Sequence, residues 1–170
     1  MDIGKRVMVM GSSGSGKSTM AKRLGELTGL PVVHMDTIWW KPGWVSRPRD
    51  EVYAMHAAAI AGPEWVFDGN YSSTHEERLA RADTVIFLDF NRFVCLFRVI
   101  KRWFMYHGKQ RPDMTEGCPE KIDLPFLWFV FTHFPRKRKQ LLSWLANIQP
   151  PKQAFHLKGN RAVRRFLQSL

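Results

Sequence analysis

Residues 11–18 are Gly11-Ser12-Ser13-Gly14-Ser15-Gly16-Lys17-Ser18, and this octapeptide sets the interpretation of the whole chain. It fits the pattern G-x-x-x-x-G-K-[ST] at every position. An apolar run at 6–10 precedes it, and a segment with apolar residues at helical spacing, 18–28, follows it. Glycines permit the turn angles that aim backbone amides inward at a phosphate, and the start of a helix adds a positive dipole. The pattern predicts a phosphate-binding loop between strand and helix; the alternative is a glycine-rich turn with a chance Lys-Ser pair.

The chemistry expected of this loop is the binding of ATP with Mg²⁺. Lys17 would place a positive charge beside the β- and γ-phosphates, and the Ser18 hydroxyl would be a magnesium ligand. The sequence has no motif resembling N-K-x-D, the guanine-binding pattern, which favours ATP over GTP. The residues expected to contact the nucleotide are Gly11, Ser12, Ser13, Gly14, Ser15, Gly16, Lys17, Ser18 and Thr19.

Strand-like and helix-like segments alternate through the rest of the chain. The predicted strands are 6–10, 31–35, 64–67, 84–89 and 153–157. The predicted helices are 18–28, 50–61, 92–105 capped by Asn91, one that opens at 123–125 and is kinked or divided at Pro135, and one from Asn160. Continuous apolar strands separated by helices indicate an α/β fold, with a parallel sheet covered on both faces. At 170 residues the chain is expected to form a single domain, 1–170.

The positive charge of the chain is confined to its second half. Residues 1–91 carry 10 basic and 11 acidic residues, whereas 92–170 carry 16 basic and 4 acidic. A one-sided positive field attracts nucleotide phosphates, nucleic acid or an anionic membrane surface. A solvated basic face is the alternative.

Cysteine content and hydropathy exclude several classes of protein. The two cysteines, Cys95 and Cys118, cannot form a disulfide framework or a four-cysteine zinc site, which favours a reducing, cytoplasmic setting. The most apolar segment, 124–134, is about half the length of a membrane-spanning helix, so no membrane partner is expected.

Acidic residues follow three of the predicted strands, at the end where ligands bind in such sheets. Asp68 could hold a magnesium-bound water beside the phosphate loop, or it could cap the next turn. Asp36 could act as a general base toward a hydroxyl acceptor, or it could cap a helix or loop. Asp89 is expected to cap the helix at 92–105, and His34 to be a packed side chain.

Three tryptophans follow Asp36 and lie among basic residues. Aromatic faces beside cations can hold a ring or a nucleotide, and they can equally anchor a mobile lobe or pack in the core. The residues concerned are Trp39, Trp40, Lys41, Trp44, Arg47 and Arg49.

Several arginines surround an irregular segment, 106–122. Arg98 and Arg102 are four apart on one predicted helix and share a face. Arginines that converge on a phosphoryl group neutralise the charge on its oxygens, although some of these residues belong to a solvated basic stripe. The others near the segment are Arg111, Arg136 and Arg138.

The sequence resembles the adenylate-kinase-like branch of P-loop kinases, and within it the DNA topology modulation proteins. The stretches that carry the resemblance are GSSGSGKST (11–19), HMDTIWWKPGW (34–44), WVFDGNYSST (65–74), ADTVIFLD (82–89) and RPDMTEGCPEK (111–121). The resemblance implies a three-layer fold whose five parallel strands are ordered 2-3-1-4-5. It also implies an acceptor-side lobe at about 36–62, a lid at about 103–124, and catalytic roles for Arg98, Arg102 and Arg138.

The chain departs from adenylate kinases on the acceptor side. Asp36 stands where they place Thr-Gly and an arginine, and Asn70-Tyr71 follows Asp68-Gly69. An aspartate after the second strand is more similar to relatives that phosphorylate a hydroxyl, such as shikimate and dephospho-coenzyme A kinases. The expected function is ATP-dependent phosphoryl transfer to a small nucleoside, nucleotide or other hydroxyl acceptor. The alternatives are a nucleotide-dependent DNA-binding regulator and a nucleotide-binding protein without transfer activity.

Overall fold

A five-stranded parallel sheet forms the centre of the molecule in the computed structural model. The structure describes the backbone of residues 1–170 and every side chain except those of 133–135. The helix that was predicted to kink or divide at Pro135 is not divided there, because it runs unbroken from Leu124 to Ala146. The sheet strands are β1 (Arg6–Gly11), β2 (Val32–His34), β5 (Trp65–Asp68), β6 (Thr84–Asp89) and β7 (Gln153–Lys158).

The strands are ordered β2-β5-β1-β6-β7. A small antiparallel hairpin, β3 (Trp40–Lys41) and β4 (Val45–Ser46), lies between the second and third sheet strands along the chain. Counted within the large sheet alone, the order is 2-3-1-4-5. The α/β fold class with a parallel sheet is therefore confirmed.

The central strands are buried on both faces, which explains their continuous apolar sequence. Along β1, Val7 and Val9 point into one core, whereas Met8 and Met10 point into the other, as the two-residue period of a strand requires. Five helices complete the two layers: α1 (Lys17–Thr28), α3 (Arg49–Ala61), α5 (Arg92–Tyr106), α6 (Leu124–Ala146) and α7 (Gly159–Gln168).

Two further helices were not predicted from the sequence. These are α2 (Met35–Trp39) and α4 (His75–Arg81), the latter preceded by a 3₁₀ turn at Ser72–Thr74. The predicted cap of α5 is confirmed, because the Asn91 side chain accepts a hydrogen bond from Phe93 N. The prediction that Asp89 caps this helix is wrong, because its carboxylate pairs with Arg138 and His156 instead.

The irregular segment 106–122 lies against the β3–β4 hairpin. Gly43 N donates to Gly117 O at 2.9 Å, and the Thr115 hydroxyl donates to Trp40 O at 2.9 Å. These bonds join two excursions that are about 75 residues apart in sequence, and they bring the segment over the carboxyl end of β2.

Candidate functional site

The phosphate loop connects the end of β1 to the start of α1, and its glycines occupy positions that other residues could not. Gly14 and Gly16 have φ angles of 80° and 94°. A Cβ on Gly14 would overlap the carbonyl oxygen of Cys95, because α5 packs directly on the loop. Left-handed backbone and close approach together require glycine at position 14.

The loop presents free backbone donors and a lysine at the amino end of α1. No described side chain caps this helix, so its first amides keep their donor capacity and its positive dipole faces the loop. The Lys17 ammonium donates to Ser12 O at 2.9 Å and therefore lies across the loop. This is the arrangement that binds anionic phosphate oxygens.

Of the three predicted arginines, Arg98 reaches the phosphate loop. Its guanidinium donates to Ser15 O at 3.2 Å and to the Asn160 side chain at 2.6 Å, and it stacks over the Phe90 ring at 4.4 Å. These contacts fix a positive charge beside the loop backbone.

The other two arginines are paired with carboxylates. Arg102 Nε donates to Glu120 at 2.9 Å, within the 106–122 segment. Arg138 makes a two-pronged pair with Asp89, at 2.9 and 2.7 Å, and His156 Nε2 lies 2.7 Å from the same carboxylate. The pKa of Asp89 is lowered, because Arg138 and His156 outweigh the opposing effect of burial.

The ends of β2 and β5 bring His34 and Asp68 together. The two residues are register partners, and His34 Nδ1 lies 3.0 Å from Asp68 Oδ2. His34 is therefore a hydrogen-bond partner of Asp68 rather than the merely packed side chain that was predicted. Burial alone would lower the pKa of His34, but the hydrogen bond and charge of Asp68 raise it overall.

Asp68 has spare acceptor capacity toward the interior of the site. Its side chain is buried, and Oδ1 has no hydrogen-bond partner among the described residues. A buried carboxylate oxygen needs a donor or a cation, so this atom fits a hydrated magnesium ion as well as an ordered water.

Asp36 lies in the first turn of α2, close enough to Lys17 of the phosphate loop and to Arg111 of the 106–122 segment for their charges to act on it. Asp36 is exposed to solvent at its surface, but many protein atoms surround its carboxyl group and displace part of its hydration. The pKa of Asp36 is raised by burial first and by the nearby charge of Asp68 second, while Lys17 and Arg111 act in the opposite direction. A carboxylate held near these two cations can bind a hydroxyl and accept its proton.

The 106–122 segment supplies a buried charge network that the sequence predictions missed. Arg111 donates to Asp113 at 3.1 Å from Nε and from Nη2, and to Glu120 at 2.9 Å, and it is buried together with Glu120. The pKa of Asp113 is lowered, because Arg111 and a hydrogen bond from Ser18 outweigh the effect of burial. The segment therefore extends to the predicted magnesium ligand Ser18.

Asn70 and Arg78 hold the chain that follows Asp68. The Asn70 side chain donates to Gly11 O, which ties this turn to the start of the phosphate loop. Arg78 is buried, donates to Gly69 O at 2.8 Å and to Tyr71 O at 3.1 Å, and has its pKa lowered to about 10 by burial. Neither role had been predicted, because a single Asn or Arg outside a motif does not reveal its partner.

The tryptophans form a cluster between the hairpin and its neighbours. Trp39 packs on Tyr71 with ring centroids 5.0 Å apart, and Trp40 packs edge-on against Trp44 at 5.4 Å. Trp44 Nε1 donates to Pro119 O at 3.0 Å, so this residue braces the 106–122 segment. All three rings keep partial exposure, which leaves a ligand-binding role for them as a prediction.

The donor set suits a magnesium ion that arrives with a nucleotide. No group of three His, Cys, Asp or Glu side chains among the described residues is arranged to hold a metal on its own. Magnesium bound to nucleotide phosphates needs only one or two protein ligands, because phosphate and water oxygens supply the others. Ser18 and Asp68 fit that requirement.

Comparison with known proteins identifies the fold. No family model matches the sequence, and no curated protein matches it. A shikimate kinase from Bacteroides thetaiotaomicron is 16% identical, with a TM-score of 0.57 over 97% of this chain and 95% of that chain. A gluconokinase from Sinorhizobium meliloti is also 16% identical, with a TM-score of 0.52 over 99% of this chain and 97% of that chain.

A third solved structure agrees with these two. A sugar kinase from Janibacter sp. is 16% identical, with a TM-score of 0.50 over 97% of this chain and 93% of that chain. At 16% sequence identity, the similarity to these structures shows a shared fold only. The chain has the fold of P-loop kinases.

Proposed function

We propose that this protein is an ATP-dependent phosphotransferase whose acceptor is the hydroxyl group of a small molecule. The observation that carries the proposal is the phosphate loop, where Lys17 and Arg98 are held against the backbone and where Asp36 is close enough to Lys17 for their charges to interact. A phosphate-binding loop alone indicates nucleotide binding. A carboxylate of raised pKa beside the loop adds a group that can accept the proton of a hydroxyl acceptor, so ATP and the acceptor both have a binding partner.

The transfer step uses the phosphate loop and Asp36. The acceptor oxygen forms a bond to the γ-phosphorus of ATP while the bond from that phosphorus to the β,γ-bridging oxygen breaks, and ADP leaves. Asp36 accepts the proton of the acceptor hydroxyl, and the raised pKa of Asp36 makes it a stronger base than an ordinary aspartate. Lys17 neutralises charge on the phosphate oxygens, and positioning by the loop supplies much of the acceleration.

Magnesium would be held by the Ser18 hydroxyl and, through water, by Asp68. When bound, the ion neutralises negative charge on the β- and γ-phosphate oxygens. The unpartnered Oδ1 of Asp68 supports this role, and His34 holds the other carboxylate oxygen in place.

Arginines of α5 and α6 would neutralise charge on the transferred group. Arg98 is fixed beside the loop by Ser15 and Asn160, which supports a direct role. Arg102 and Arg138 are paired with Glu120 and Asp89, so their participation requires that the carboxylate partner be exchanged for phosphate. Arg98, Arg102 and Arg138 are all proposed as catalytic residues.

The proposed acceptor lobe is 36–62 and the proposed lid is 103–124. Hydrogen bonds between the hairpin and the 106–122 segment support their movement as one unit over the acceptor. Exclusion of water by this unit would protect ATP from hydrolysis. The buried free thiols Cys95 and Cys118 suit the reducing cytoplasm in which such an enzyme would work.

Acceptor-dependent turnover tests the proposal. The protein is incubated with ATP, Mg²⁺ and, in turn, sugars, sugar acids, cyclic polyols, nucleosides and nucleoside monophosphates, while ADP release is compared with an acceptor-free reaction. The compared structures are named as a sugar kinase, a gluconokinase and a shikimate kinase. Sugars, sugar acids and cyclic polyols are therefore tested first. If the protein binds ATP but no acceptor increases ADP release, phosphoryl transfer is contradicted.

Lys17→Ala is the matched active-site variant for this assay. We expect turnover to fall at least about tenfold, which corresponds to about 1.4 kcal/mol of activation free energy. Lys22→Ala is the control, because Lys22 is an exposed lysine on the same helix, outside the loop. Equal turnover in the two variants would show that the loop does not perform the transfer.

A nucleotide-dependent DNA-binding regulator of the DNA topology modulation type is the second candidate. The excess of basic over acidic residues in 92–170 favours it, as do the exposed side chains of Arg161, Arg164 and Arg165 along α7. This function predicts affinity for duplex DNA that falls steeply with salt. Absence of duplex binding at about 50 mM salt, where such contacts are much stronger than at about 200 mM, would eliminate it.

A further inference from the structure

Two neighbouring helices leave large apolar side chains in contact with solvent. Phe93, Phe97 and Phe104 on α5 are 59%, 66% and 71% exposed. Leu124 and Trp128 on α6 are 80% and 69% exposed. Single exposed apolar residues are common, but several on adjacent helices indicate a binding surface.

These side chains form one continuous surface. The spacing of four and seven residues places the α5 phenylalanines on one side of that helix, and Leu124 and Trp128 are likewise four apart. The Phe131 ring joins the two rows, with centroids 5.6 Å from Phe93 and 6.4 Å from Trp128. We call this surface the aromatic face; its members are Phe93, Phe97, Phe104, Leu124, Trp128 and Phe131.

A shallow groove of about 350 Å³ opens on the aromatic face. Four apolar side chains and one lysine line it: Phe97, Ile100, Lys101, Phe104 and Met105. An apolar groove with a single cation at its side suits an amphiphile that carries a hydrocarbon chain and an anionic head.

Cations without acidic neighbours lie at the aromatic face, which favours an anionic partner. Each helix contains four Lys or Arg residues, eight in all, and neither contains an Asp or Glu. The Arg92 guanidinium lies 4.4 Å from the centroid of the Phe131 ring, and Lys101 lines the groove, so cations reach the aromatic face itself. The nearest acidic residue in sequence, Asp123, caps α6 by accepting a hydrogen bond from Phe126 N.

We propose that the aromatic face docks on the surface of an anionic lipid bilayer. Helices that present Phe, Trp and Leu beside Lys and Arg bind at the membrane interface, with the apolar side chains among the headgroups and the cations on lipid phosphates. No helix in the described part of the chain is long and apolar enough to cross a membrane. The protein would therefore lie on the bilayer.

Other occupants explain less of this surface. A second copy of the chain would bring Arg92 and Lys101 against the same two cations, and neither helix contains an acidic residue to pair with them. Nucleic acid would satisfy the cations, but it would leave Leu124 and the groove beside phosphates instead of hydrocarbon. The bilayer satisfies both features.

Vesicle co-sedimentation of the full chain tests the proposal. The probes are vesicles of pure phosphatidylcholine and vesicles in which about 30% is replaced by phosphatidylglycerol, because charge and apolar insertion must act together. We expect binding to the anionic vesicles that weakens as salt increases, and at least about tenfold weaker binding to the neutral ones.

The double variant Phe97→Ser/Phe104→Ser isolates the aromatic face. Both side chains are mostly exposed, so the melting temperature should be retained while binding to anionic vesicles falls at least about tenfold. Leu27→Ser/Met55→Ser is the matched control, since these residues are 44% and 37% exposed on α1 and α3. The control should bind vesicles as the unmodified chain does.

Three results would overturn the proposal. The first is no sedimentation with anionic vesicles at low salt, and the second is equal loss of binding in both double variants. The third is that the protein does not bind vesicles but forms a DNA complex or a dimer, and that this complex or dimer is lost in Phe97→Ser/Phe104→Ser. ATP binding by the phosphate loop is measured in the same samples, so failure of membrane docking and failure of the proposed phosphotransfer are distinguishable.

Discussion

Asp36 combines a destabilising environment with the proposed role of general base. Its pKa is raised by burial and by Asp68, so the folded protein disfavours the ionised carboxylate. A carboxyl group whose pKa is raised on folding contributes its full stability at pH values below its unfolded pKa, 3.8. That contribution is lost as pH rises through the pKa of the folded state. At neutral pH the ionised Asp36 therefore costs stability, as is common for catalytic groups.

We expect Asp36→Asn to increase stability and to reduce turnover. The melting temperature at pH 7 should rise, and the difference from the unmodified chain should disappear as pH falls to the unfolded pKa, 3.8, because the folded carboxyl is protonated at higher pH than the unfolded one. Turnover should fall about 10²- to 10⁴-fold, the usual contribution of a general base. Asp50→Asn, at an exposed position in the first turn of α3, is the control. A destabilised Asp36→Asn with full activity would contradict both roles.

Individual residues differ in how far the sequence reveals them. Lys17 and Ser18 could be predicted because their motif encodes a local structure, a loop followed by a helix. The pairing of His34 with Asp68 could not, because it depends on which strands become neighbours, and 34 residues separate the partners. The network of Arg111, Asp113 and Glu120 was missed for another reason, since charged residues in an irregular segment are ordinarily solvated.

At the scale of elements, the contact between α5 and the phosphate loop depends on Gly14. Gly14 and Gly29 both have left-handed backbone, with φ of 80° and 75°, but only the Cβ of an alanine at 14 would meet Cys95 and Val99. Gly29→Ala should lower the free energy of unfolding by about 1–2 kcal/mol, the cost of left-handed backbone alone. Gly14→Ala should cost more and weaken ATP binding.

Denaturant unfolding and calorimetric titration with ATP measure these two effects. Gly29→Ala serves as the control for backbone strain, because nothing lies within 4 Å of its added Cβ. An equal loss of stability in the two variants would mean that α5 yields easily and does not hold the loop.

The second element whose integrity can be tested is the 106–122 segment. Glu120 accepts from both Arg102 and Arg111 while buried, so Glu120→Gln leaves Arg102 without a charged partner and Arg111 with Asp113 alone. Breaking a buried pair on one side costs about 3–5 kcal/mol, which is enough to open a surface segment locally. We expect faster amide hydrogen exchange throughout 106–122, with the sheet unaffected.

Mass spectrometry of exchanged peptides provides this measurement. Glu116→Gln is the control, because Glu116 lies in the same segment with its side chain exposed. Identical exchange in the two variants would show that the charge network does not hold the segment against the hairpin.

The elements that the sequence predicted are those with a local signal. All five sheet strands were predicted within two residues at either end, because each has a short run of apolar residues, and in most strands glycine, proline or aspartate marks an end of that run. The helices α2 and α4 and the β3–β4 hairpin were missed. They are only two to seven residues long and too short to show a period, so their contacts with neighbouring elements stabilise them.

On the scale of the whole molecule, one layer of the fold contains buried histidines that sequence patterns gave no reason to expect. His56 and His75 are buried on the side of the sheet that α3 and α4 cover, beside the buried Arg78. Burial first and the charge of Arg78 second lower the pKa of His56 from 6.5 to about 4 and that of His75 to about 3. The Glu77 carboxylate, 3.4 Å from His56 Nδ1, is largely solvated and does not offset this.

These histidines should make the fold sensitive to mild acid. A histidine whose pKa is lowered on folding stabilises the protein above its unfolded pKa, 6.5, and this stability is lost as pH falls toward the folded value. At pH 5 the unfolded chain binds a proton at each site and the folded chain does not, which costs about 2 kcal/mol for each histidine. Urea unfolding at pH 7 and pH 5 measures the change.

Replacement of the two rings separates their effect from that of other titrating groups. His56→Phe/His75→Phe removes both protonation sites and keeps aromatic volume beside Phe67 and Trp144. Its free energy of unfolding should change by about 4 kcal/mol less between pH 7 and pH 5 than that of the unmodified chain. If the double variant does not fold, nuclear magnetic resonance titration of the unmodified protein decides instead, since both rings should stay neutral down to pH 5. Protonation of either ring in the folded state near pH 6 would show that this layer admits water and that acid sensitivity arises elsewhere.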